Sequence, residues 1–394
     1  MDCGGMMRSF LLLVFVLAAT ALQAAGNVLA QEAQPVFATK AKQAYLIEAA
    51  TGTVLLAVNE NQSFPAASLA KLMTMEVVFD ALKSGAISPE TLYPVSEYAW
   101  RTGGAPSGTT TMFAALKSQV PVADLMRGVI IQNANDACII LAEGIARSEG
   151  EFAARMTAKA KDIGLARSTF GNATGLPYAE SWTTARDLVE LSRHLYRNYP
   201  EYYPLYAQPD FAWNKIFQRN KNPLLSLNMG VDGLGAGFAE GTGYALAASV
   251  ARDNTRLFLA LGGLATEKER TDEARRILEW GLSSFETRVV FKAGEVIGQA
   301  SIYGGVESKV DLVTREPVDI FTPKTNPERL SGRIVYNWPL RAPVAQGREI
   351  ATLRISSGDR VIREIPLEAA ASVEVGGLRA QASDALMELL FFWL

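Results

Sequence analysis

The stretch Phe64-Pro65-Ala66-Ala67-Ser68-Leu69-Ala70-Lys71-Leu72-Met73 carries a hydroxyl and an amine three residues apart. On a helix that begins at Ser68, this spacing puts both groups on one face. A lysine beside a serine can serve as the base that frees a nucleophilic oxygen, provided that the amine is neutral. A free lysine has a pKa of about 10.4, so burial or a neighbouring cation must lower it by roughly three units for work near neutrality. Phe64, Leu69, Leu72 and Met73 offer part of the apolar surroundings this needs. The chemistry that follows is acyl transfer through a serine ester. Ser-x-x-Lys arises by chance in ordinary helices, and its weight here comes from its place after a strand pair and at a helix start.

Other catalytic classes have few residues to draw on. His194 is the single histidine of the 394 residues. Zinc sites rich in histidine lack ligands, and a Ser-His-Asp arrangement has one available base. His194 sits in the amphipathic run Leu191 to Tyr196, where a structural role is expected. Of the two cysteines, Cys3 and Cys138, the second lies in an apolar helical run with Ala137, Ile140 and Leu141 and reads as a buried, inert thiol. No metal and no cofactor are expected. A net charge of -3 gives no electrostatic footprint for nucleic acid.

The elements around Ser68 can be read from periodicity. Ala44 to Ala57 reads as a β-hairpin turning at Ala50-Thr51-Gly52. Helical spacing follows from Ala67 to Leu82, entered after Pro65, and from Val122 to Ala146. Glu151 to Ile163 and Thr184 to Tyr196 are further helices, separated by the loop Gly171 to Pro177. Strands are expected at Tyr244 to Val250 and Arg256 to Leu261, then a helix from Glu267 to Phe285. Beyond about Thr287 short β-type runs take over: Gln299 to Tyr303, Lys309 to Val313, Arg333 to Tyr336, Ile350 to Ile355 and Val361 to Ile365.

In this order the chain resembles the low-molecular-mass penicillin-binding D-alanyl-D-alanine carboxypeptidases. The matching stretches are Phe64 to Thr74, Gln132 to Glu143, Thr174-Gly175-Leu176-Pro177, Thr184-Ala185-Arg186-Asp187, Val231-Asp232-Gly233-Leu234 and Gly243-Tyr244, followed by a β domain and an apolar tail. The resemblance implies an α/β (α+β) penicillin-binding, β-lactamase-like transpeptidase fold: an antiparallel five-stranded sheet with helices, a helical subdomain and a small all-β domain. It implies Ser68 as nucleophile, Lys71 as proton acceptor, and an oxyanion hole from the backbone N–H groups of Ser68 and Phe238. Peptidoglycan stem peptides and β-lactams are the implied partners.

Two motifs depart from the family pattern. Ser-x-Asn is matched by Asn133-Ala134-Asn135, so Asn135 carries over as a substrate-amide contact, while Asn133 offers an amide that cannot relay a proton as a hydroxyl does. Lys-Thr-Gly is matched by Gly235-Ala236-Gly237, which keeps Gly237 and removes the cation and hydroxyl that hold a terminal carboxylate. Arg256 is the candidate substitute anchor, with a solvated strand-end arginine as the competing reading. A peptidoglycan-binding pseudoenzyme is the alternative function.

At the termini, Arg8 precedes an apolar run from Phe10 to Ala21 and a small-residue site at Val28-Leu29-Ala30, the pattern of a cleaved export signal. The expected division is signal 1–30, catalytic domain 31–286, β domain 287–380 and tail 381–394. The apolar end from Leu386 to Leu394 is too short to cross a bilayer. It reads as a peripheral contact with the cytoplasmic membrane or as a packing segment. An exported, periplasmic protein is the expectation.

Overall fold

The computed structural model describes residues 37–325, 329–357 and 360–378. The expected signal peptide and the apolar tail lie outside the described residues.

Alternating, strongly apolar sequence forms the first strands, β1 (Gln43–Glu48) and β2 (Val54–Val58), paired antiparallel. The turn between them is fixed by Glu48, whose carboxylate accepts from the Ala50 and Thr51 backbone nitrogens at 2.8 and 2.7 Å. Three later strands complete the sheet: β3 (Val231–Ala239), β4 (Gly243–Arg252) and β5 (Thr255–Leu264). The sheet is five-stranded and antiparallel in the order β2-β1-β5-β4-β3, which leaves β3 as an edge. Side chains alternate between faces with period two. Tyr45, Ile47, Phe258 and Ala260 face the main core. Leu46 and Leu257 face the other way, beneath helix Glu267–Ser284, where Gly281 permits close approach.

The six longest helices among the described residues are α1 (Ala70–Lys83), α2 (Val122–Gln132), α3 (Asn135–Ala146), α4 (Glu149–Asp162), α5 (Ala185–Asn198) and α6 (Glu267–Ser284). α3 is the hub, with Ala137 through Ala142 wholly buried. At roughly 1.5–3 kcal/mol for each large apolar side chain buried, this helix is held by packing on all sides rather than along one stripe.

The run Val122 to Ala146 is not one helix. Asn133 adopts the left-handed conformation, φ 62°, and closes α2. Asparagine tolerates that conformation better than most residues, and a second helix begins at Asn135. The helix expected from Ala67 also starts late, because Ala67–Leu69 forms a 3-10 turn.

After α6 the chain is β-rich. Phe285–Phe291 pairs with Val318–Pro323, and a five-stranded sheet runs in the order Val296–Ser301, Lys309–Val313, Arg360–Ala369, Glu349–Ser357, Leu330–Val335. It encloses its own core around Ile302, Val310, Leu312, Leu353 and Leu367.

Candidate active site

Ser68 is placed by its neighbours on both sides. Phe64 and Pro65 pair with Thr183 and Trp182, and the Ala66 nitrogen donates to the Ser181 carbonyl at 3.4 Å. Ala67 then takes the left-handed conformation, φ 47°, a strained choice for an alanine, of the kind that marks functional turns. One turn on, Lys71 points inward from α1 and is 5% exposed.

Ser68 and Lys71 open on the same cleft. Its polar lining includes Asn133, Tyr206, Lys221 and Asn222, its apolar lining Leu69, Leu72, Met75, Val129, Ile130 and Leu234, and one wall is Gly235 and Ala236 of β3. The Lys71 amine donates to the Thr174 carbonyl at 2.6 Å. Burial holds its pKa below the ordinary lysine value, an effect only partly offset by the nearby Cys138. The depression needed for a lysine base therefore arises from desolvation, without the neighbouring cation that Lys-Thr-Gly would have supplied. Cys138 is a free, buried thiol that donates to the Ala134 carbonyl, and burial pushes its pKa up to about 12; it is no nucleophile near neutrality.

Asn133 and Asn135 stand in the break between α2 and α3. Asn133 lines the cleft. Asn135 is buried, its backbone nitrogen bound to the Thr110 carbonyl at 2.7 Å and its side-chain oxygen without a partner among the described residues. The next residue, Asp136, fixes the approaching loop: it accepts from Thr111 Oγ1 at 2.6 Å and from the Met112 and Ala114 nitrogens at 2.9 and 3.1 Å.

Gly237 brings the edge strand beside Ser68. A Cβ at Gly237 would lie 3.4 Å from the Ser68 nitrogen and 3.5 Å from the Ala67 Cβ. Phe238 follows, its exposed ring 4.7 Å from that of Tyr244.

Arg256 is elsewhere. Its guanidinium grips Asp232 with two hydrogen bonds at 3.0 and 2.7 Å, binds Ser249 Oγ, and stacks 4.0 Å over the Tyr196 ring. Asp232 is five residues before Gly237 on β3, about 16 Å along an extended strand. The expectation of a substitute anchor at Arg256 is corrected by this geometry: an ion pair and an aromatic face already occupy its charge. His194 is also outside the cleft, facing the buried Glu76 carboxylate at 3.3 Å.

Tyr206, Lys221 and Asn222 were not singled out by the sequence, and Thr174 entered only as part of the stretch Thr174-Gly175-Leu176-Pro177. They come from a 3-10 turn and two loops without periodicity, and only the fold sets them around Ser68. The cluster Asn220-Lys221-Asn222 before Pro223 reads locally as a loop and nothing more.

Comparison with known proteins shows the family. A family model described as D-alanyl-D-alanine carboxypeptidase matches residues 29–263, and one described as the penicillin-binding protein 5 C-terminal domain matches residues 285–375. The chain is 35% identical over 351 residues to the D-alanyl-D-alanine carboxypeptidase DacC of Escherichia coli, covering 88% of each. Penicillin-binding protein 5 from Haemophilus influenzae superposes with a TM-score of 0.76 at 33% identity, covering 86% of this chain and 98% of that one. The ampicillin-bound form of penicillin-binding protein D2 from Listeria monocytogenes superposes with a TM-score of 0.55 at 26% identity, over 63% of this chain and all of the other.

Proposed function

We propose, from the premise that this chain belongs to the D-alanyl-D-alanine carboxypeptidase family, that it is a serine-type carboxypeptidase acting on peptidoglycan stem peptides. The observation that carries this reading is the buried amine of Lys71, its pKa lowered by desolvation, in one cleft with Ser68.

The steps follow from the groups present. Neutral Lys71 takes the Ser68 proton as the oxygen attacks the carbonyl of the penultimate D-alanine. The backbone N–H groups of Ser68 and Phe238 stabilise the oxyanion that develops; being main-chain donors, they are indifferent to the side-chain changes in β3. Asn135 holds the substrate amide. The terminal D-alanine leaves with the proton carried by Lys71, and water then attacks the acyl-enzyme to regenerate the Ser68 hydroxyl. A β-lactam ring is opened by the same attack and leaves a stable ester, in keeping with the ampicillin complex of the Listeria relative.

Residues 31–286 are assigned to the catalytic domain and 287–380 to the β domain, a division supported by the two family matches. The apolar leader supports export to the periplasm. The terminal apolar segment is assigned to peripheral contact with the membrane; no described helix is long and apolar enough to cross one.

Mass spectrometry of the purified protein, incubated separately with a muropeptide pentapeptide and with penicillin, tests the reading. Loss of one D-alanine and a penicilloyl adduct on Ser68 are expected, both abolished by Ser68→Ala. Absence of both from the unaltered protein would leave a wall-binding protein without turnover.

A further inference from the structure

Two residues of the cleft wall, Gly235 and Ala236, present no polar side chain where relatives of this family carry a lysine and a threonine. Yet the cleft is not short of positive charge. Lys221 lines it from the loop between strand Ile216–Arg219 and the 3-10 turn Leu225–Leu227. The backbone of Lys221 is tied to the end of α2 by a hydrogen bond from its nitrogen to the Ile131 carbonyl at 2.9 Å, two residues before Asn133. Its side chain is exposed and forms no salt bridge among the described residues.

Two buried side chains stand with it. Asn222 is 5% exposed, and its Oδ1 accepts from the Leu224 nitrogen at 3.0 Å. That bond fixes the amide orientation and leaves Nδ2, which has no partner among the described residues. Tyr206 is 2% exposed with an unpartnered hydroxyl. Burial raises its pKa well above the ordinary tyrosine value, so the hydroxyl keeps its proton. Both residues line the cleft, and no aspartate or glutamate does.

We infer that Lys221, with Asn222 and Tyr206, binds the terminal carboxylate of the substrate in place of the missing Lys-Thr side chains. The inference rests on the carboxypeptidase reading above. Its physical basis is donor count: an ammonium, an amide N–H and a phenolic O–H line one cleft, and a carboxylate offers only acceptors. Buried donors without partners are costly, so a ligand that satisfies them is strongly preferred to one that cannot. The leaving D-alanine carries its carboxylate one residue beyond the carbonyl attacked by Ser68, and Ser68 lines the same cleft as the three donors.

The test uses the full chain carrying Ser68→Ala, so that binding is read without turnover. Two ligands are compared by calorimetry: N-acetylated Lys-D-Ala-D-Ala with a free carboxylate, and the same peptide ending in a carboxamide. Adding Lys221→Met is expected to weaken the acid peptide by about 10- to 100-fold, the range of a lost charge-assisted contact, and to leave the carboxamide unchanged. Lys221→Arg should recover most of the affinity. The inference is overturned if the acid peptide binds within about twofold with and without Lys221, or if acid and amide bind the parent equally. Penicillin labelling of the Ser68 protein is read separately: its failure would remove the acyl-enzyme reading, while the acid-to-amide comparison would still decide the role of Lys221.

Discussion

Gly175 packs against Ala67 so closely that a Cβ on the glycine would come within 1.8 Å of the Ala67 carbonyl oxygen. Gly175 itself is left-handed, φ 74°, and Ala67 is left-handed at φ 47°. A left-handed alanine and a left-handed glycine therefore meet directly before Ser68, and the residue before Gly175 presents its carbonyl, that of Thr174, to Lys71. The turn that carries Ser68 and the carbonyl that accepts from Lys71 are joined by one contact.

Gly175→Ala should disturb both. The methyl group has no room and the conformation is costly for alanine, so a loss of at least about 1–3 kcal/mol is expected, with a fall in penicillin acylation larger than the loss of stability alone explains. Thermal melting and the rate of fluorescent-penicillin labelling check it. Unchanged labelling would mean that this contact does not position Ser68.

Lys71→Met removes the proposed base while keeping volume in the buried site. A general base contributes roughly two to four powers of ten, so acylation should fall by that order with the fold retained. Stopped-flow measurement of penicillin binding reads the rate, and circular dichroism reads the fold.

The pH dependence has a definite sign. Burial lowers the Lys71 pKa in the folded chain, so acylation should rise with pH and level off below the pH at which a free lysine titrates. Between the folded and unfolded pKa values the unfolded chain binds the extra proton, and stability therefore rises with pH in that window. Relative to Lys71→Met, the parent should gain stability as pH rises through the window and lose it as pH falls. Paired melting curves across pH settle the direction.

Asp136→Ala should be severely destabilising. The buried carboxylate serves one hydroxyl and the backbone nitrogens of Met112, Ala114 and Ala137. Each buried donor left unpartnered costs about 1–3 kcal/mol, so a total of at least about 3 kcal/mol is expected by denaturant unfolding. A loss under 1 kcal/mol would show that the loop finds other partners.

Arg256→Ala should leave turnover within about threefold, since its charge is spent on Asp232 and Tyr196 away from the cleft. Stability should fall, because Asp232 loses its partner. A large loss of kcat/KM with unchanged melting would reinstate Arg256 in the site.

Much of this was legible in the chain itself. Local pattern found the opening hairpin, α4, α5 and α6, because apolar spacing and turn residues act within a few positions of each other. It found Ser68 and Lys71 because their spacing is one helical turn. It did not mark β3, whose sequence Val-Asp-Gly-Leu-Gly-Ala-Gly-Phe-Ala has weak strand propensity; pairing with β4 makes it a strand. Nor did it show that Val122 to Ala146 breaks at Asn133, a choice of one backbone dihedral.

The sequence by itself determined the Ser68–Lys71 pair and the order of elements, since each depends on residues near one another along the chain. Only the tertiary structure decided what surrounds them: that Arg256 is committed to Asp232 some distance along the edge strand, and that Lys221, Asn222 and Tyr206 close the cleft. The physical reason is that burial and charge pairing depend on distances through space, and loops far apart in sequence are brought within reach of Ser68 only when the core forms.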